Sequence, residues 1–281
     1  MTFERGGVDI FVPDGVPRGK AMSRTTHLAI GAHPDDIEML AYHGIEECFG
    51  ERDKWFTGVT ITTGAGAPRA GMYAKLDDVE LARLRKAEQR KAAEAGRYAC
   101  QIQLGYASRD VVGGINGALV GDLAEILRST RPETVYLHSP FDRHQTHISV
   151  LVHSVEAIRS LPKKAKPANV YGCEGWGGLD WLPEKYLVHL PSGKRAGLGV
   201  KLLKVYKSQI EGKDYVQAAE GRRRMNATFR SPREVDGRGG VTLAVDLAPL
   251  FSIKGLPLSE YIADIIDAFD VEAKGRLERH R

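Results

Sequence analysis

Cysteine is scarce in this chain of 281 residues, which contains Cys48, Cys100 and Cys173 and no others. Three widely separated cysteines argue against a disulfide framework, and no Cys-x-x-Cys pair is present to bind zinc through thiolates. The cysteine content therefore predicts a reducing, cytoplasmic location, and a thiolate zinc site is not expected.

Long apolar runs and a strong net charge are also missing. No segment approaches the roughly 18 apolar residues of a membrane-spanning helix, and the first 20 residues lack the apolar region of a secretory signal. The formal net charge is +4. The basic residues are dispersed apart from "LPKKAKP" and Arg222–Arg224. We expect Arg222–Arg224 to lie on a solvated helix face. We therefore expect no membrane span and no nucleic-acid partner.

Strand-length apolar runs alternate with helical patterns, which is typical of βαβ units and a mainly parallel sheet. The predicted strands are "THLAIGA", "TGVTITTG", "CQIQLGY" and "TVYLHSP". The helices between them are predicted at "DDVELARLRKAEQRKAAEAG", "NGALVGDLAEILRST" and "HQTHISVLVHSVEAIRSL". We expect Asp77 and Glu80 to form a capping box and Gly96 to end the first of these helices.

The pattern is less regular beyond about residue 165. Helices are predicted at "KLLKVYKSQI", at "YVQAAEGRRRMNAT" and at the C-terminal end, and a strand at "GVTLAVDL". We therefore predict a single α/β domain over residues 1–281, with a core at about 25–165 and a C-terminal α/β elaboration at about 166–281. The first 24 or so residues are predicted to form a short arm.

Two stretches rich in histidine and aspartate follow predicted strands. The first contains His33, Asp35 and Asp36, and the second contains His138, Asp142, His144 and His147. Sites in open parallel sheets form beyond the carboxyl ends of the strands, so both stretches lie where a site is expected. His144 and His147 are three residues apart and share a helix face. Two imidazoles and one carboxylate are a common zinc ligand set that leaves a fourth position for water.

A divalent cation would explain why two aspartates are adjacent. One would bind the ion, while the other would act on the metal-bound water, whose pKa the ion lowers. Ordinary explanations remain open, because His-x-x-His is often a pair of surface histidines and Asp-Asp after a strand often caps a helix. The occurrence of both motifs at the same sheet edge favours the metal site. His153, on the apolar helix, is expected to pack.

These motifs resemble those of a known family. "AHPDDIE", which contains His33 to Glu38, is similar to the signature of the LmbE-like or PIG-L zinc N-deacetylases, and "DRHQTH" resembles their second motif. "RKAEQRKAAEAG", "LGYASRD" and "KVYKSQ" are similar to three further stretches of the family. The resemblance implies a Rossmann-like fold with helices on both faces. It also implies hydrolysis of the N-acetyl group of a GlcNAc-type amino sugar or glycoconjugate.

The resemblance implies a role for each matched residue. The implied ligands of one zinc ion per chain are His33, Asp36 and His147. Asp35 would be the general base that deprotonates the zinc-bound water. His144 would stabilise the oxyanion and protonate the leaving amine. Arg85 and Asp110 align with positions that contact sugar hydroxyls or an attached anionic group.

One departure from the family pattern concerns the residues between the two histidines. The family usually has Pro-Asp there, and this chain has Gln145 and Thr146. The family's aspartate is taken to orient the neighbouring histidine, and Asp142 is the candidate substitute for orienting His144.

The altered pair also supports an alternative function, a non-catalytic, metal-containing protein that binds a sugar or nucleotide. A nucleotide-dependent Rossmann enzyme is disfavoured, because no Gly-x-Gly-x-x-Gly follows the first strand. The expected partner is a small N-acetylated amino sugar or glycoconjugate, and a homo-oligomer is left open. Tyr171, Trp176 and Trp181 could stack on sugar rings or pack at the sheet edge, and Glu174 is a weak candidate for a hydroxyl contact.

Overall fold

The computed structural model describes residues 2–233, 235–236 and 239–280. Within these residues eight strands form one sheet, in the order β1-β4-β3-β2-β5-β6-β8-β7. The strands are β1 Asp9–Phe11, β2 His27–Gly31, β3 Phe56–Thr62, β4 Cys100–Tyr106, β5 Thr134–His138, β6 Asn169–Cys173, β7 Leu187–Pro191 and β8 Val241–Asp246.

Twelve α-helices flank the strands in the described part of the chain. The first six are α1 Arg18–Ser23, α2 Asp36–Leu40, α3 Tyr42–Cys48, α4 Asp78–Gly96, α5 Ser108–Val111 and α6 Gly117–Thr130. The other six are α7 Gln145–Arg159, α8 Ala196–Leu203, α9 Lys207–Ile210, α10 Tyr215–Thr228, α11 Pro249–Ser252 and α12 Leu258–Glu278. Short 3₁₀ turns span Gly71–Tyr73, Lys163–Ala165 and Glu184–Tyr186. None of the described helices is both long enough and apolar enough to span a membrane.

The centre of the sheet is parallel and its edges are antiparallel. Strands β4, β3, β2, β5 and β6 pair in parallel, whereas β1 pairs antiparallel with β4, and β8 with β6 and β7. The chain order reverses between β2 and β5, because β3 and β4 lie on one side of β2 and β5 and β6 lie on the other. A crevice forms where neighbouring crossovers leave in opposite directions, so ligand sites concentrate at such a reversal.

Helices cover both faces of the sheet, as predicted. Successive side chains of a strand point to opposite faces, and β2 shows this clearly. Leu28 and Ile30 pack in the apolar cluster that contains residues of α6 and α7, whereas Ala29 packs in the cluster that contains residues of α2, α3 and α8. The apolar run Leu28–Ile30 of this strand is therefore explained by burial on both sides.

Helix α4 begins with the predicted capping box and ends, as predicted, at Gly96, with Arg97 at a φ of 54° as the C-cap. The N-terminal arm contains the edge strand β1 and the helix α1. One prediction about local structure is corrected, because the basic run at 222–224 is not uniformly solvated. Arg223 is buried, and its guanidinium donates to the backbone oxygen of Glu38 and lies over the ring of Tyr42.

The region beyond residue 165 contributes β6, β7 and β8 to the same sheet. Its boundary with the core, and the prediction of a single domain over residues 1–281, stay predictions. The three cysteines are free and buried.

Candidate active site and metal centre

The first half of the site is the turn between β2 and α2. Asp36 is the first residue of α2, and its Oδ2 accepts the backbone N–H of His33 at 2.7 Å. This bond closes the turn and places the imidazole of His33 beside the carboxylate of Asp36. Asp35 precedes the helix with a left-handed φ of 94°, and its side chain makes no capping hydrogen bond. The ordinary explanation of Asp35 as a helix cap therefore does not hold.

The second half of the site is the turn between β5 and α7. His144 caps α7, because its Nδ1 accepts the backbone N–H of Thr146 at 3.2 Å. His147 lies in the first turn of the helix, and its side chain is buried. Asp142 stabilises the turn by accepting the backbone N–H of His144 at 2.9 Å. Since β5 is the parallel neighbour of β2, the two turns meet at the strand-order reversal.

His33, Asp36 and His147 converge. Nδ1 of His33 lies 3.2 Å from Oδ2 of Asp36 and 3.3 Å from Nε2 of His147. The same nitrogen of His147 lies 3.4 Å from Oδ1 of Asp36. Donor atoms about 2.0–2.2 Å from a tetrahedral ion are separated from each other by about 3.3–3.6 Å. The donor types and their spacing therefore fit a divalent cation such as zinc.

The electrostatics of this trio favour positive charge. Burial alone would raise the pKa of Asp36, but His147 and His33 hold it well below its usual range. Burial opposes protonation of His147, but Asp36 and Asp142 outweigh it and raise the pKa of His147 to about 10. The carboxylates of Asp36 and Asp142 lie on opposite sides of the His147 ring, and both would stabilise a positive charge there.

A second group of potential ligands, His138, Asp142 and His147, shares one member with the first. Nε2 of His138 is already occupied, because it accepts the backbone N–H of Ala32 at 2.9 Å. Burial lowers the pKa of His138 to about 3, and its ring stacks on that of His147 with centroids 4.0 Å apart. His138 is therefore better placed to support His147 than to bind an ion. From the sequence, His138 could be placed at a strand end but given no role. Its stacking on His147 becomes visible only in the folded structure.

Asp35 is held by Arg85. The Arg85 guanidinium donates to Oδ2 of Asp35 at 3.0 Å, to the backbone oxygen of Pro34 at 2.6 Å and to that of Gly64 at 2.9 Å. Burial raises the pKa of Asp35 to about 8, and the charge of Arg85 opposes that rise. A Cβ on Gly64, whose φ is +64°, would lie 2.3 Å from Arg85, so glycine is required there.

This arrangement differs from the role that the resemblance implies for Arg85. The residue is only 3% exposed, and its partners are protein groups. Arg85 is therefore placed to position Asp35 from behind, and its contact with a sugar stays a prediction. Gln89, one turn further along α4, supports the same aspartate by accepting its backbone N–H at 3.3 Å. The stretch "RKAEQRKAAEAG", which resembles the family, draws attention to Arg85 but contains no signal for Gln89.

Asp142 also differs from its expected role. Its carboxylate lies against the ring of His147, with 3.1 Å between Oδ2 and Nδ1, and its contact with His144 is through the backbone N–H. The contact with Nδ1 of His147 has an ion-pair distance but falls outside the angular range of a hydrogen bond. The ring of His144 is instead oriented by the Thr146 N–H. The orienting interaction therefore comes from the helix backbone.

The remaining predicted residues lie outside this cluster. Asp110 is on α5, with its carboxylate 44% exposed and 3.8 Å from the guanidinium of its neighbour Arg109. His153 packs as predicted, since its ring bonds to the backbone at Ser149 and Asn116. Tyr171 packs against Tyr136 within the sheet, and Trp181 packs edge-to-face against Phe141 and Phe269.

Comparison with known proteins supports the assignment made from the motifs. The model of the PIG-L family, described as GlcNAc-PI de-N-acetylase, matches residues 28–158. The uncharacterized deacetylase YaiS of Escherichia coli K12 is 28% identical over 157 residues, which cover 54% of this chain and 78% of YaiS.

Three solved structures share the fold. The conserved protein TT1542 of Thermus thermophilus has a TM-score of 0.61 at 17% identity and covers 82% of this chain and 98% of its own. GalB, the 4-carboxy-2-hydroxymuconate hydratase of Pseudomonas putida KT2440, has a TM-score of 0.59 at 18% identity and covers 79% of this chain and 95% of its own. The N,N'-diacetylchitobiose deacetylase of Pyrococcus horikoshii has a TM-score of 0.57 at 20% identity and covers 78% of this chain and 83% of its own.

Because a hydratase and a deacetylase share this fold, the fold alone does not select a reaction. The resemblance to the family rests on the match to the chain's own sequence, which covers both histidine–aspartate turns. Residues 28–158 thus form a region similar to the PIG-L family, described as GlcNAc-PI de-N-acetylase.

Proposed function

We propose that this protein is a zinc-dependent hydrolase that removes the N-acetyl group from a GlcNAc-type amino sugar or glycoconjugate. The observation that carries the proposal is the convergence of His33, Asp36 and His147 beside a separately held aspartate, Asp35. The family description and the deacetylase relative support the substrate class. The buried, free cysteines are compatible with the proposed cytoplasmic location.

Three side chains would hold one zinc ion per chain: His33, Asp36 and His147. The bound ion supplies a Lewis acid that polarises the amide carbonyl and lowers the pKa of water. Asp142 and His138 would keep the His147 ring in place, because one lies beside its Nδ1 and the other stacks on its face. Such supporting contacts fix the orientation of a metal-binding imidazole.

Asp35 is the proposed general base. It is adjacent to Asp36 in the chain, yet its carboxylate bonds to Arg85 through Oδ2 only. The other oxygen, Oδ1, would accept the proton from the attacking water. The buried ion pair prevents rotation of the side chain, and fixed geometry of the base is what general base catalysis requires.

His144 is the proposed hydrogen-bond donor to the oxyanion and then the acid for the leaving amine. Its Nδ1 accepts a backbone N–H, so the neutral ring carries its proton on Nε2. Burial and the neighbouring His147 and His33 lower the pKa of His144, which favours this neutral form. The ring lies 4.5 Å from that of His147, close to the zinc ligands, where a developing negative charge would be stabilised.

Replacement of Asp35 by Asn tests the proposal. We expect the Asp35→Asn variant to keep the zinc content of the wild type and to release acetate about 10²–10⁴-fold more slowly, the usual contribution of a general base. Acetate release from a panel of N-acetylated amino sugars and metal analysis of the same samples provide the measurement. Asp53→Asn, at an exposed site, is the matched control.

Two results would contradict the proposal in different ways. Wild-type turnover by Asp35→Asn would show that Asp35 is not the base. Absence of acetate release by the zinc-loaded wild type on every member of the panel would favour the alternative, a non-catalytic metal-containing protein that binds a sugar or nucleotide.

A further inference from the structure

The loop that follows β6 contacts the second half of the site, although it lies outside the residues that match the family model. In this loop the backbone N–H of Trp176 donates to Oδ2 of Asp142 at 3.2 Å. The same oxygen lies 3.1 Å from Nδ1 of His147, one of the proposed zinc ligands. Oδ2 of Asp142 therefore contacts both a backbone donor from the C-terminal region and the ring of a proposed ligand.

The carboxylate of Asp142 is held by backbone donors from two parts of the chain. Its Oδ1 accepts the N–H of His144 within its own turn, and its Oδ2 accepts the N–H of Trp176. The side chain is fully buried. A carboxylate beside the nitrogen of an imidazole that does not bind the metal fixes the ring and raises its basicity as a ligand. The donor on Oδ2 thus bears on the orientation of His147.

The loop approaches Asp142 so closely that it has no room for a side chain at Gly175. A Cβ on Gly175 would lie 2.8 Å from Oδ2 of Asp142. A Cβ on Gly177 would lie 2.6 Å from the backbone oxygen of Phe141. A larger residue at either position would therefore displace the loop or the carboxylate, which is a reason for glycine at both.

Helix α10 holds the start of this loop at two points. The Arg222 guanidinium donates to the backbone oxygen of Gly175. One turn further along the helix, the side-chain amide of Asn226 donates to Oε1 of Glu174. Glu174 is 4% exposed, and the same oxygen accepts the N–H of Leu243 in β8 at 2.9 Å. The loop therefore lies between α10 and β8 on one side and the turn before α7 on the other.

The contacts of Arg222 and of Asp142 are made with the two ends of one peptide group. Arg222 donates to its oxygen, which belongs to Gly175, and its N–H, which belongs to Trp176, donates to Asp142. The oxygen and the N–H of a planar trans peptide point in opposite directions, so a donor that holds one end also sets the direction of the other. A charged donor on the oxygen also polarises the peptide group and strengthens its N–H as a donor.

We propose that Arg222 is a positioning residue of the metal centre. It orients the peptide group between Gly175 and Trp176, whose N–H keeps the carboxylate of Asp142 against His147. The C-terminal region thereby supports a ligand that belongs to the core. This inference rests on the proposed function, because it takes His147 as a zinc ligand.

The zinc affinity of the full-length chain, measured by competition with a chromophoric chelator, tests this inference without any turnover. Loss of a group that supports a metal ligand lowers metal affinity roughly 10–100-fold, and we expect about tenfold for Arg222→Met, because Arg222 acts one contact further out. Arg222→Lys should recover part of the loss, because an ammonium group can still donate to the oxygen of Gly175. Arg224→Met, exposed on the same helix, is the matched control and should keep the wild-type affinity.

A second variant tests the contact from the side of the loop. Gly175→Ala places a Cβ against the carboxylate of Asp142, and we expect a loss of zinc affinity of roughly 10–100-fold. Gly221→Ala is the control, because a Cβ at Gly221 on α10 would meet no atom within 4 Å.

The Asp142→Ala background separates positioning from a general structural role. If Arg222 acts through Asp142, adding Arg222→Met to Asp142→Ala should lower zinc affinity no further. A merely structural effect of Arg222 would be the same in both backgrounds.

The outcomes also separate this inference from the proposed function. Wild-type zinc affinity of Arg222→Met, or equal losses in the two backgrounds, would overturn the inference and leave the proposed function intact. Zinc binding that depends on Arg222 through Asp142, in a wild type that releases no acetate, would support the inference and contradict the hydrolase. A wild type that binds no zinc would contradict both.

Discussion

Asp35 and Asp36 are adjacent in the chain but have opposite surroundings. Asp36 lies among imidazoles, with His33, His147 and His138 within 3.5 Å of its oxygens. Asp35 faces the guanidinium of Arg85. Two neighbouring carboxylates can both be buried because each has its own positive or proton-donating partner. This division of partners suits a ligand and a base in one short turn.

Arg85 provides the test of this division. In Arg85→Met, Asp35 loses its ion pair, and we expect kcat to fall by roughly 10–100-fold through misplacement of the base, with KM and zinc content little changed. Arg85→Lys should be more active than Arg85→Met, because lysine keeps the charge. It should remain less active than the wild type, because lysine cannot make all three contacts of the guanidinium. Arg83→Met, exposed on the same helix, is the control.

The kinetic pattern also discriminates between two roles. If Arg85→Met raised KM and left kcat unchanged, Arg85 would contact substrate, as the resemblance to the family implies. The buried position behind Asp35 would then not reflect the working enzyme.

The proposed ligands could be selected from the sequence because a short motif at a strand end constrains its own geometry. His33 and Asp36 are three residues apart in one turn, and His147 begins a helix at the neighbouring strand. The contacts of Arg85, Gln89 and Asp142 could not be derived in this way. They depend on how α4 and the turn before α7 pack against the first motif, and one sequence contains no signal for that packing.

At the scale of elements, the C-terminal region is anchored to the motif helices by buried hydrogen bonds. Glu38 of α2 accepts the hydroxyl of Tyr206 at 2.6 Å and that of Tyr98 at 2.7 Å. Glu88 of α4 accepts the hydroxyl of Ser208 at 2.6 Å and its backbone N–H at 2.9 Å. The stretch "KVYKSQ" therefore acts as a structural tie to the two helices that hold Asp36 and Arg85.

Removal of one hydroxyl tests this tie. Tyr206→Phe leaves Oε2 of the fully buried Glu38 without its donor, and we expect a loss of about 1–3 kcal/mol in the free energy of unfolding. Urea unfolding followed by circular dichroism measures the loss. Tyr73→Phe, at a partly exposed ring in a 3₁₀ turn, should change stability much less. Equal stability of Tyr206→Phe and the wild type would contradict the proposed tie.

The parallel core of the fold could be predicted, but its edges could not. β4 spans "CQIQLGY", as expected, because apolar and polar residues alternate in a buried strand. α10 also spans the expected "YVQAAEGRRRMNAT", although its buried residues are only Arg223 and Asn226. β1 has three residues and β7 ends in a proline, so neither has a strong pattern. "KLLKVYKSQI" is divided into α8 and α9, because Tyr206 leaves the helical conformation where it reaches Glu38.

At the scale of the whole molecule, the site depends on one feature of topology. The chain order reverses between β2 and β5, so the turn that contains His33 and Asp36 and the turn that contains His147 face each other across one crevice. The β6 and α10 elements then form a wall beside that crevice with Trp176 and Tyr215. In this account the core contains the proposed zinc ligands and base, and the C-terminal region borders the crevice that holds them.

Zinc content and anomalous X-ray scattering at the zinc edge, measured on the purified chain, test the central claim most directly. We predict one zinc ion per chain, with an anomalous peak about 2.0–2.2 Å from His33, Asp36 and His147. We also predict loss of the ion in His147→Ala and its retention in the exposed control His280→Ala. A zinc-loaded crystal with no peak among these three side chains, or with its peak between His138 and Asp142 instead, would contradict the account.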